Sequence, residues 1–282
     1  MKTLILGPTG FVGGALLRKL SKEFETTILL RHINHPIYNE YTSIIGNLRA
    51  EKTIQKIRIG NYKRVIDASW TGLPNLDSEN NQKNYLLKAK LIQTFVQMGV
   101  EEYVGFGSCL EYGELIGKVS EQSEGVNVGD FGKTKLSILE LLKDSGMKYS
   151  WFRLFYLIGS GQHEKSLINT AIRYHERGID FIPKEPDKSF DFITIDEAIE
   201  AINSVIEKPF HSSIYNVGSG EATSVAEVVN VIRENFGLNI REFQKSNALI
   251  ADISKLTSHT GWSRKKSIQE SITQIVREIR AS

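Results

Sequence analysis

The sequence has one cysteine, almost no excess charge and no long hydrophobic run. The single cysteine, Cys109, excludes a disulfide framework within one chain and disfavours a zinc site built from thiolates. The 35 Lys+Arg and 33 Asp+Glu leave a formal net charge of 35 − 33 = +2, which argues against a nucleic-acid-binding protein that works by bulk electrostatics. No apolar stretch approaches the ~20 residues that span a bilayer, and the first apolar run is too short for a signal peptide. We therefore expect a cytoplasmic protein with neither a nucleic acid nor a membrane as partner.

The composition is that of an ordinary globular protein. Hydrophobic residues make up 40% of the 282 positions and charged residues 24%, which excludes a disordered chain. The length allows one large domain or two modest ones. His32 and His35 are three residues apart but have no third candidate ligand nearby. We expect no metal site.

Short apolar runs alternate with helical periodicity in the first half of the chain. Near-continuous apolar strands separated by helices indicate a parallel sheet that is covered on both faces. The pattern predicts an α/β fold, namely a doubly wound parallel (Rossmann) sheet. The predicted strands are 3–6, 26–30, 43–45, 64–66, 102–106 and 149–154, and the predicted helices are 11–20, 85–98 and 136–142.

The second half loses this alternation. Helical spacing covers 193–206, a short strand covers 214–217, and a last amphipathic helix covers about 267–279. Ser224 is predicted to cap a helix over 225–236, with Glu227 as its capping-box partner. We interpret this half as a smaller C-terminal substrate-binding lobe. The predicted division gives 1–157 plus about 190–217 to a dinucleotide-binding domain, and about 158–189 plus 218–282 to the lobe.

A glycine-rich loop follows the first predicted strand and opens the first predicted helix. Gly7 permits a tight turn, Gly10 lets the backbone approach a pyrophosphate, and Gly13 lets helix and strand pack closely. The N-terminus of the helix then presents unpaired N–H groups to the phosphates. The predicted cofactor-binding residues of this loop are Gly7, Thr9, Gly10, Phe11, Val12 and Gly13.

The end of the second predicted strand indicates which nicotinamide cofactor is bound. An acidic residue there binds the ribose 2′-hydroxyl of NAD, whereas an arginine suits the 2′-phosphate of NADP. This sequence has Arg31 at that point and no acidic residue before Glu40. Because Arg31 can pair with a phosphate, the pattern favours NADP(H) over NAD(H). The alternative is that Arg31 is a solvated charge at a strand end.

Two further segments carry candidate catalytic residues. Ser108 lies four residues before Tyr112 at the end of the fifth predicted strand, and Lys135 lies four residues after Phe131 at the start of a helix. In these motifs the chain resembles the extended short-chain dehydrogenase/reductases, the group of nucleotide-sugar epimerases, dehydratases and ketoreductases. Phe131 stands where that family has its catalytic tyrosine. The resemblance extends over nearly the whole chain, through 68–69, 153–159, 191–196, 215–224, 252–255 and 261–262.

The resemblance implies the remaining site residues. It assigns Asn47, Ala68, Ser69 and Lys135 to the cofactor site. Tyr156 replaces a family asparagine that faces the sugar nucleotide, and it either shapes substrate choice or packs as a core aromatic. Glu111 either contacts substrate or makes a structural hydrogen bond. The implied substrate-binding residues are Ser108, Glu111, Tyr156, Asn169 and Arg173.

Reduction of a carbonyl explains why such residues are grouped. The oxygen develops negative charge, which a hydroxyl such as that of Ser108 stabilises, and a positioned acid must supply a proton. A tyrosine at position 131 would be that acid, and Lys135, on the same helix face, would favour its ionised form. Phe131 has no hydroxyl. The chain is therefore a deliberately disabled enzyme, a natural variant that uses another acid (Tyr112, Tyr156 or a water), or a pseudo-enzyme.

The residues beside Ser108 restrict the reaction. Family dehydratases carry an Asp-Glu pair there, whereas this chain has Cys109 and Leu110. We therefore expect NADPH-dependent reduction of a nucleoside-diphosphate 4-keto-6-deoxyhexose to the 4-hydroxy sugar, with this chain impaired by Phe131. The alternatives are an NAD-dependent nucleotide-sugar 4-epimerase and a non-catalytic NADP-binding regulatory protein. The resemblance also implies a homodimer formed through the helices that carry 85–98 and 131–143.

Overall fold

The computed structural model describes residues 1–20 and 24–281 in two compact units. The first unit comprises Met1–Gly113, Gly125–Arg153 and Ile202–Tyr215. The second comprises Glu114–Glu124, Leu154–Ala201 and Asn216–Ser282. Among the described residues, no helix is both long enough and apolar enough to cross a membrane.

Strands and helices alternate through the first unit, whereas the strands of the second unit are only two or three residues long. The strands are β1 (Lys2–Leu6), β2 (Glu25–Leu30), β3 (Thr42–Ile45), β4 (Arg64–Asp67), β5 (Glu102–Ser108), β6 (Gly117–Val119), β7 (Lys148–Leu154), β8 (Tyr156–Ile158), β9 (Ser189–Phe190), β10 (Phe192–Thr194), β11 (Ser213–Val217), β12 (Thr223–Ser224) and β13 (Leu249–Ala251). The helices are α1 (Phe11–Lys19), α2 (Glu51–Arg58), α3 (Ser78–Gln97), α4 (Asp130–Asp144), α5 (Leu167–Glu176), α6 (Ile195–Ile206), α7 (Val225–Asn235), α8 (Ser254–Thr260) and α9 (Ile268–Ala281).

The first unit is built on a seven-stranded sheet in the order β11-β7-β5-β4-β1-β2-β3. β1 pairs in parallel with both β2 and β4, β2 with β3, and β4 with β5. Leu4, Ile5 and Leu6 of β1 are completely buried, as expected for a strand at the centre of a sheet covered on both faces. The chain order reverses at β1 and β4, where doubly wound sheets bind ligands beyond the carboxyl ends of their strands. The structure thus confirms the predicted doubly wound α/β fold.

Helix α3 begins earlier than the sequence pattern predicts. The apolar periodicity indicates 85–98, whereas the helix runs over Ser78–Gln97. Its first two turns are polar, so no apolar stripe marks them. The start is fixed instead by Asp77, whose side chain accepts a hydrogen bond from the Asn80 backbone N–H.

The second unit has its own apolar core, formed mainly by α5, α7 and α9. Ile172, Ile232 and Ile272, one from each helix, are among its buried members. Ser224 caps α7 and Glu227 completes the capping box, which confirms that prediction.

The boundary between the units differs from the predicted division. Residues 190–201 fall in the second unit because β10 pairs with β8. The buried Asp191 carboxylate also accepts hydrogen bonds from the backbone N–H groups of Ser219, Gly220 and Ala251. Residues 114–124 join the same unit because β6 pairs in parallel with β13. A pairing between segments so distant in the chain leaves no periodic signal in the sequence.

Candidate active site

A cavity of about 280 Å³ lies in the first unit beyond the carboxyl ends of β1, β2 and β4. It collects the glycine loop, the ends of these strands and the start of the turn after β4. Seven of the predicted cofactor residues line it, namely Gly7, Thr9, Gly10, Arg31, Asn47, Ala68 and Ser69. Phe11, Val12 and Gly13 form the first turn of α1 and are not among the lining residues, and neither is Lys135.

Two of the loop glycines are required by the protein's own packing. Gly7 has φ +75°, and a Cβ there would lie 2.7 Å from the Ala68 carbonyl oxygen. A Cβ on Gly13 would lie 2.1 Å from the Gly7 carbonyl oxygen. Gly10 differs, because among the described residues a Cβ there would meet only the Gly7 oxygen, at an ordinary 3.5 Å. Gly10 lines the cavity, so its backbone is open to a ligand on that side.

The start of α1 fits the phosphates of a dinucleotide. Gly10 is the N-cap and provides no side-chain hydrogen bond, and the first turn carries no acidic residue. The helix therefore begins with backbone N–H groups and a positive dipole end, and the described residues place neither a capping side chain nor an acidic residue in its first turn. The residues present fit a nicotinamide dinucleotide.

The lining of the cavity contains two arginines and no carboxylate among the described residues. Arg31 follows β2, and Arg49 follows β3. The Arg49 guanidinium donates a 3.2 Å hydrogen bond to Thr71 Oγ1, which in turn lies 3.0 Å from Asn84 Oδ1. Arg49 was not predicted from sequence, because it lies beyond a short strand and outside the recognised motifs.

Ser108 ends β5 with its hydroxyl only partly engaged. Its Oγ accepts a hydrogen bond from the Leu110 backbone N–H, and its own proton has no acceptor among residues 1–20 and 24–281. The hydroxyl can therefore donate to a substrate oxygen.

Glu111 is buried and holds the turn that follows Ser108. Its carboxylate accepts hydrogen bonds from the Ser108 backbone N–H (2.9 Å), from Trp151 Nε1 (3.1 Å) and from Arg153 Nε (2.7 Å). These contacts favour the structural alternative for Glu111 over direct contact with substrate. Arg153 also donates to the hydroxyl of Tyr112, which is only 1% exposed. Tyr112 is thus enclosed in the protein, which argues against it as the replacement acid.

Lys135 lies between two aromatic rings. On α4 it is four residues after Phe131, and its ammonium lies 5.5 Å from the centroid of the Phe131 ring. Trp70 covers another side, with 3.7 Å between Nζ and the ring centroid. The Trp70 and Phe131 rings meet edge to face at 5.4 Å. Among the described residues, Nζ donates one hydrogen bond, to the Phe106 carbonyl oxygen at 2.8 Å.

A buried ion pair lies beneath the turn that carries Trp70. Lys88 Nζ, from α3, donates to both carboxylate oxygens of Asp67 at 2.6 Å and to the Ser69 carbonyl oxygen at 2.6 Å. Tyr103 donates its hydroxyl proton to the same carboxylate at 2.7 Å. The pair therefore fixes the backbone immediately before Trp70. Neither Asp67 nor Lys88 was identified from sequence, because Asp67 directly follows a predicted strand, Lys88 lies inside a predicted helix, and neither belongs to a recognised motif.

Burial and neighbouring charges shift the pKa values of this group. Desolvation, together with the like charge of Lys88, lowers the pKa of Lys135 to about 7, against the opposing effects of Glu111 and Asp67. Burial lowers the pKa of Lys88 as well, and Asp67 limits that shift. Burial acts to raise the pKa of Asp67, but Lys88 and the hydrogen bonds outweigh it and hold the pKa below its usual value. Lys135 therefore carries a proton that it loses readily near neutral pH.

The other three predicted substrate-binding residues belong to the second unit. Tyr156 packs on Phe190, with 4.3 Å between ring centroids. The Asn169 side-chain amide donates to the carbonyl oxygens of Gln162 and His163, and Arg173 donates to the Glu164 carbonyl oxygen at 3.3 Å. Asn169 and Arg173 thus hold the loop before α5, and Tyr156 belongs to an aromatic cluster, in line with its packing alternative.

Known proteins are similar to this chain over most of its length. UDP-arabinose 4-epimerase 1 of Arabidopsis thaliana is 24% identical, over 93% of this chain and 75% of that protein. The dTDP-4-dehydro-6-deoxyglucose reductase of Escherichia coli is 23% identical, over 98% of this chain and 97% of that protein. The solved structure of MoeE5 in complex with UDP-glucuronic acid and NAD superposes with a TM-score of 0.84 at 23% identity, covering 100% of this chain and 99% of the other.

The family model described as the NAD dependent epimerase/dehydratase family matches residues 3–218. This range takes in the glycine loop, Ser108 and the segment from Phe131 to Lys135. It confirms the resemblance given by the motifs, and the chain belongs to the NAD-dependent epimerase/dehydratase family.

Proposed function

We propose that the protein reduces a nucleoside-diphosphate 4-keto-6-deoxyhexose to the 4-hydroxy sugar with NADPH. The observation that carries the proposal is a cavity on the same sheet edge as Ser108 whose described lining contains two arginines and no carboxylate. A reductase uses a cofactor that enters reduced and leaves oxidised, and NADPH is the one this cavity suits. The Escherichia coli relative, which acts on a dTDP-4-dehydro-6-deoxy sugar, aligns over almost the full length of both chains.

The residues of the site divide the work of reduction. The glycine loop and the start of α1 bind the dinucleotide phosphates, and Asn47, Ala68 and Ser69 line the remainder of the cavity. The bound cofactor would supply hydride to the sugar C4. Ser108 would donate a hydrogen bond to the carbonyl oxygen and stabilise the charge that develops there. Cys109 and Leu110 supply no second acid–base pair, which argues against dehydration.

The cofactor preference is carried by Arg31 together with Arg49. A ribose 2′-phosphate beside two guanidinium groups gains charge-assisted hydrogen bonds, whereas NAD would meet no carboxylate for its 2′-hydroxyl. We expect Arg31→Ala to weaken NADPH binding by roughly tenfold or more, at about 1.4 kcal/mol per tenfold, and to leave NADH binding nearly unchanged. Arg49→Ala should act in the same direction. Calorimetric titration with each cofactor is the measurement, and equal losses for both cofactors would contradict the assignment.

Direct assay tests the reaction. The purified chain and its Phe131→Tyr variant are each mixed with NADPH and a 4-keto-6-deoxy sugar nucleotide, and the nicotinamide absorbance band is followed. We expect the band to disappear in both, faster with Phe131→Tyr by up to roughly 10²–10⁴-fold, since a tyrosine supplies a general acid. Mixing with NADH provides the matched cofactor control.

Two other functions give different outcomes. The 4-epimerase alternative is favoured by the Arabidopsis relative, and it predicts a product epimeric at C4 with no net consumption of cofactor. The regulatory alternative is favoured by Phe131, and it predicts tight cofactor binding with no sugar turnover even in Phe131→Tyr. Either result would overturn the reductase proposal.

We also propose a homodimer formed through α3 and α4. These helices pack against each other in the first unit, and α3 leaves Leu86 and Val96 exposed at 57% and 43%. The resemblance implies that α3 takes part in pairing. Large exposed apolar side chains on that helix are suited to burial against a second copy.

A further inference from the structure

Lys135 is an ionisable side chain that lies against the ring at position 131. Phe131 can supply no proton, and the contacts of Glu111 and Tyr112 within the first unit bury both of them. The ammonium of Lys135 lies 5.5 Å from the Phe131 ring centroid, on the shared face of α4. An acid that replaces a tyrosine at 131 is therefore best sought at 135.

The position of the ammonium is fixed relative to Ser108. Nζ donates to the carbonyl oxygen of Phe106, which lies two residues before Ser108 on β5, or about 6.6 Å along the strand. The Trp70 ring covers a second direction at 3.7 Å. An ammonium has three N–H bonds, and the described residues provide one oxygen acceptor. Lys135 thus retains N–H bonds that can donate to a substrate, and its ammonium is bound to β5 two residues before Ser108.

The charges that face Lys135 favour release of its proton. Burial opposes the charged form, and Lys88 on α3 adds a like charge. Glu111, after β5, and Asp67, at the end of β4, act in the opposite direction but do not restore the ordinary value, so the pKa falls to about 7. The π face of the Trp70 ring, 3.7 Å from Nζ, stabilises the cation and so acts against proton release, as Glu111 and Asp67 do. An acid with a pKa near the working pH is the efficient donor in general acid catalysis.

We propose that Lys135 Nζ donates the proton to the carbonyl oxygen during reduction, in the role that a hydroxyl at position 131 would otherwise take. The proposal rests on the reductase function given above. The carbonyl carbon gains the hydride supplied by the reduced nicotinamide, and its oxygen takes the proton from Nζ as the N–H bond breaks. The neutral amine left on Lys135 is reprotonated by water. Ser108 holds the oxygen but, as a weakly acidic hydroxyl, is not the proton source.

The first experiment measures the ionisation itself, without cofactor or substrate. The full chain is labelled with ¹³C at lysine Cε, and the lysine resonances are followed by NMR against pH. We expect one resonance, absent from the Lys135→Met spectrum, to titrate with a midpoint near pH 7. Lys88→Met should move that midpoint upward, because the like charge is removed. A Lys135 midpoint near 10.5 overturns the proposal.

The second experiment asks whether rate follows that proton. With cofactor saturating, kcat of the native chain should fall as pH rises through the Lys135 midpoint. Lys135→Met and Lys135→Arg should both lower kcat by roughly 10²–10⁴-fold. Arginine keeps the positive charge but does not release its proton at neutral pH, so a retained rate in Lys135→Arg would show that charge alone suffices and would overturn the proposal.

A third variant separates this inference from the reductase function. Phe131→Tyr provides a phenol beside the same lysine, so its kcat should no longer fall with the midpoint of the native chain. If neither the native chain nor Phe131→Tyr reduces any 4-keto sugar nucleotide, the reductase function fails and the Lys135 role with it. If both reduce the sugar with the same pH profile, only the Lys135 role fails. Circular dichroism of each variant shows whether it is folded.

Discussion

Burial of Lys135 makes the stability of the protein depend on pH. The pKa of this lysine in the folded state is about 7, below its ordinary value of 10.5, so between these values the unfolded chain binds more protons than the native one. Unfolding free energy therefore rises with pH across this window, with a slope of up to about 1.4 kcal/mol per pH unit. Lys135 lowers the unfolding free energy most at and below pH 7, where it is charged in both the folded and the unfolded state.

Lys135→Met should remove that dependence. We expect the variant to be more stable than the native chain at pH 7, by up to about 5 kcal/mol, and to lose the advantage as pH approaches 10. Urea unfolding at a series of pH values measures it. A variant that is less stable than the native chain at pH 7 would show that the ammonium is stabilised where it lies.

Removing one partner of the ion pair between Lys88 and Asp67 should lower the stability of the protein, whereas Lys135→Met should raise it. Lys88→Met leaves a buried carboxylate unpaired, which we expect to lower unfolding free energy by about 3–5 kcal/mol. Adding Asp67→Asn should restore part of that loss. Lys63→Met is the matched control, because its pair with Glu101 lies at the surface and contributes about 1 kcal/mol or less. Equal effects of the two methionine variants would contradict this account.

At the scale of elements, the glycines at the start of α1 differ in what requires them. We expect the fold to require Gly13 and the cofactor to require Gly10. Gly13→Ala forces a Cβ against the Gly7 carbonyl oxygen and should cost about 1–3 kcal/mol of stability. Gly10→Ala meets no close neighbour, so its stability should change by less than about 1 kcal/mol. Its cofactor affinity should nevertheless fall at least tenfold. Unfolding curves and cofactor titrations distinguish the two variants, and a strongly destabilised Gly10→Ala would show that the fold also requires that glycine.

The elements that sequence predicted well are those whose burial is periodic. The central strands and α1 lie within a residue or two of their predicted bounds. Their buried apolar residues, such as Leu4 to Leu6 in β1 and Leu16 and Leu17 in α1, follow the periodicity of a strand or a helix. Elements fixed by a single capping side chain or by a strand distant in the chain were not predicted. Helix α3 starts where Asp77 caps it, and β6 forms only because β13 lies beside it.

The candidate site shows the same distinction. The glycine loop, Arg31 and Ser108 were predictable because motif spacing identifies them. Trp70 and Arg49 were not predictable. The contact of the Trp70 ring with the Lys135 ammonium, and the position of the Arg49 guanidinium in the cavity, depend on where strands distant in the chain end. For Glu111 the sequence left two roles open, and its three buried donors favour the structural one.

At the scale of the whole molecule, the proposed dimer predicts a concentration-dependent size. Leu86→Glu places a charge on the exposed face of α3 and should shift the protein toward monomer in light scattering after size exclusion. Ile59→Glu is the matched control, because Ile59 is 85% exposed at the end of α2 and lies outside the helices in question. A native chain that is monomeric at all concentrations would contradict the dimer.

The placement of 114–124 has a consequence for how the protein can be divided. Because β6 leaves the first unit to pair with β13, and the chain then returns, neither unit is one continuous stretch of sequence. No truncation at a single peptide bond can therefore isolate one complete unit free of segments of the other. Deletion libraries should yield no fragment that folds alone, and a protease cut within 114–124 should leave both pieces associated until denaturant is added.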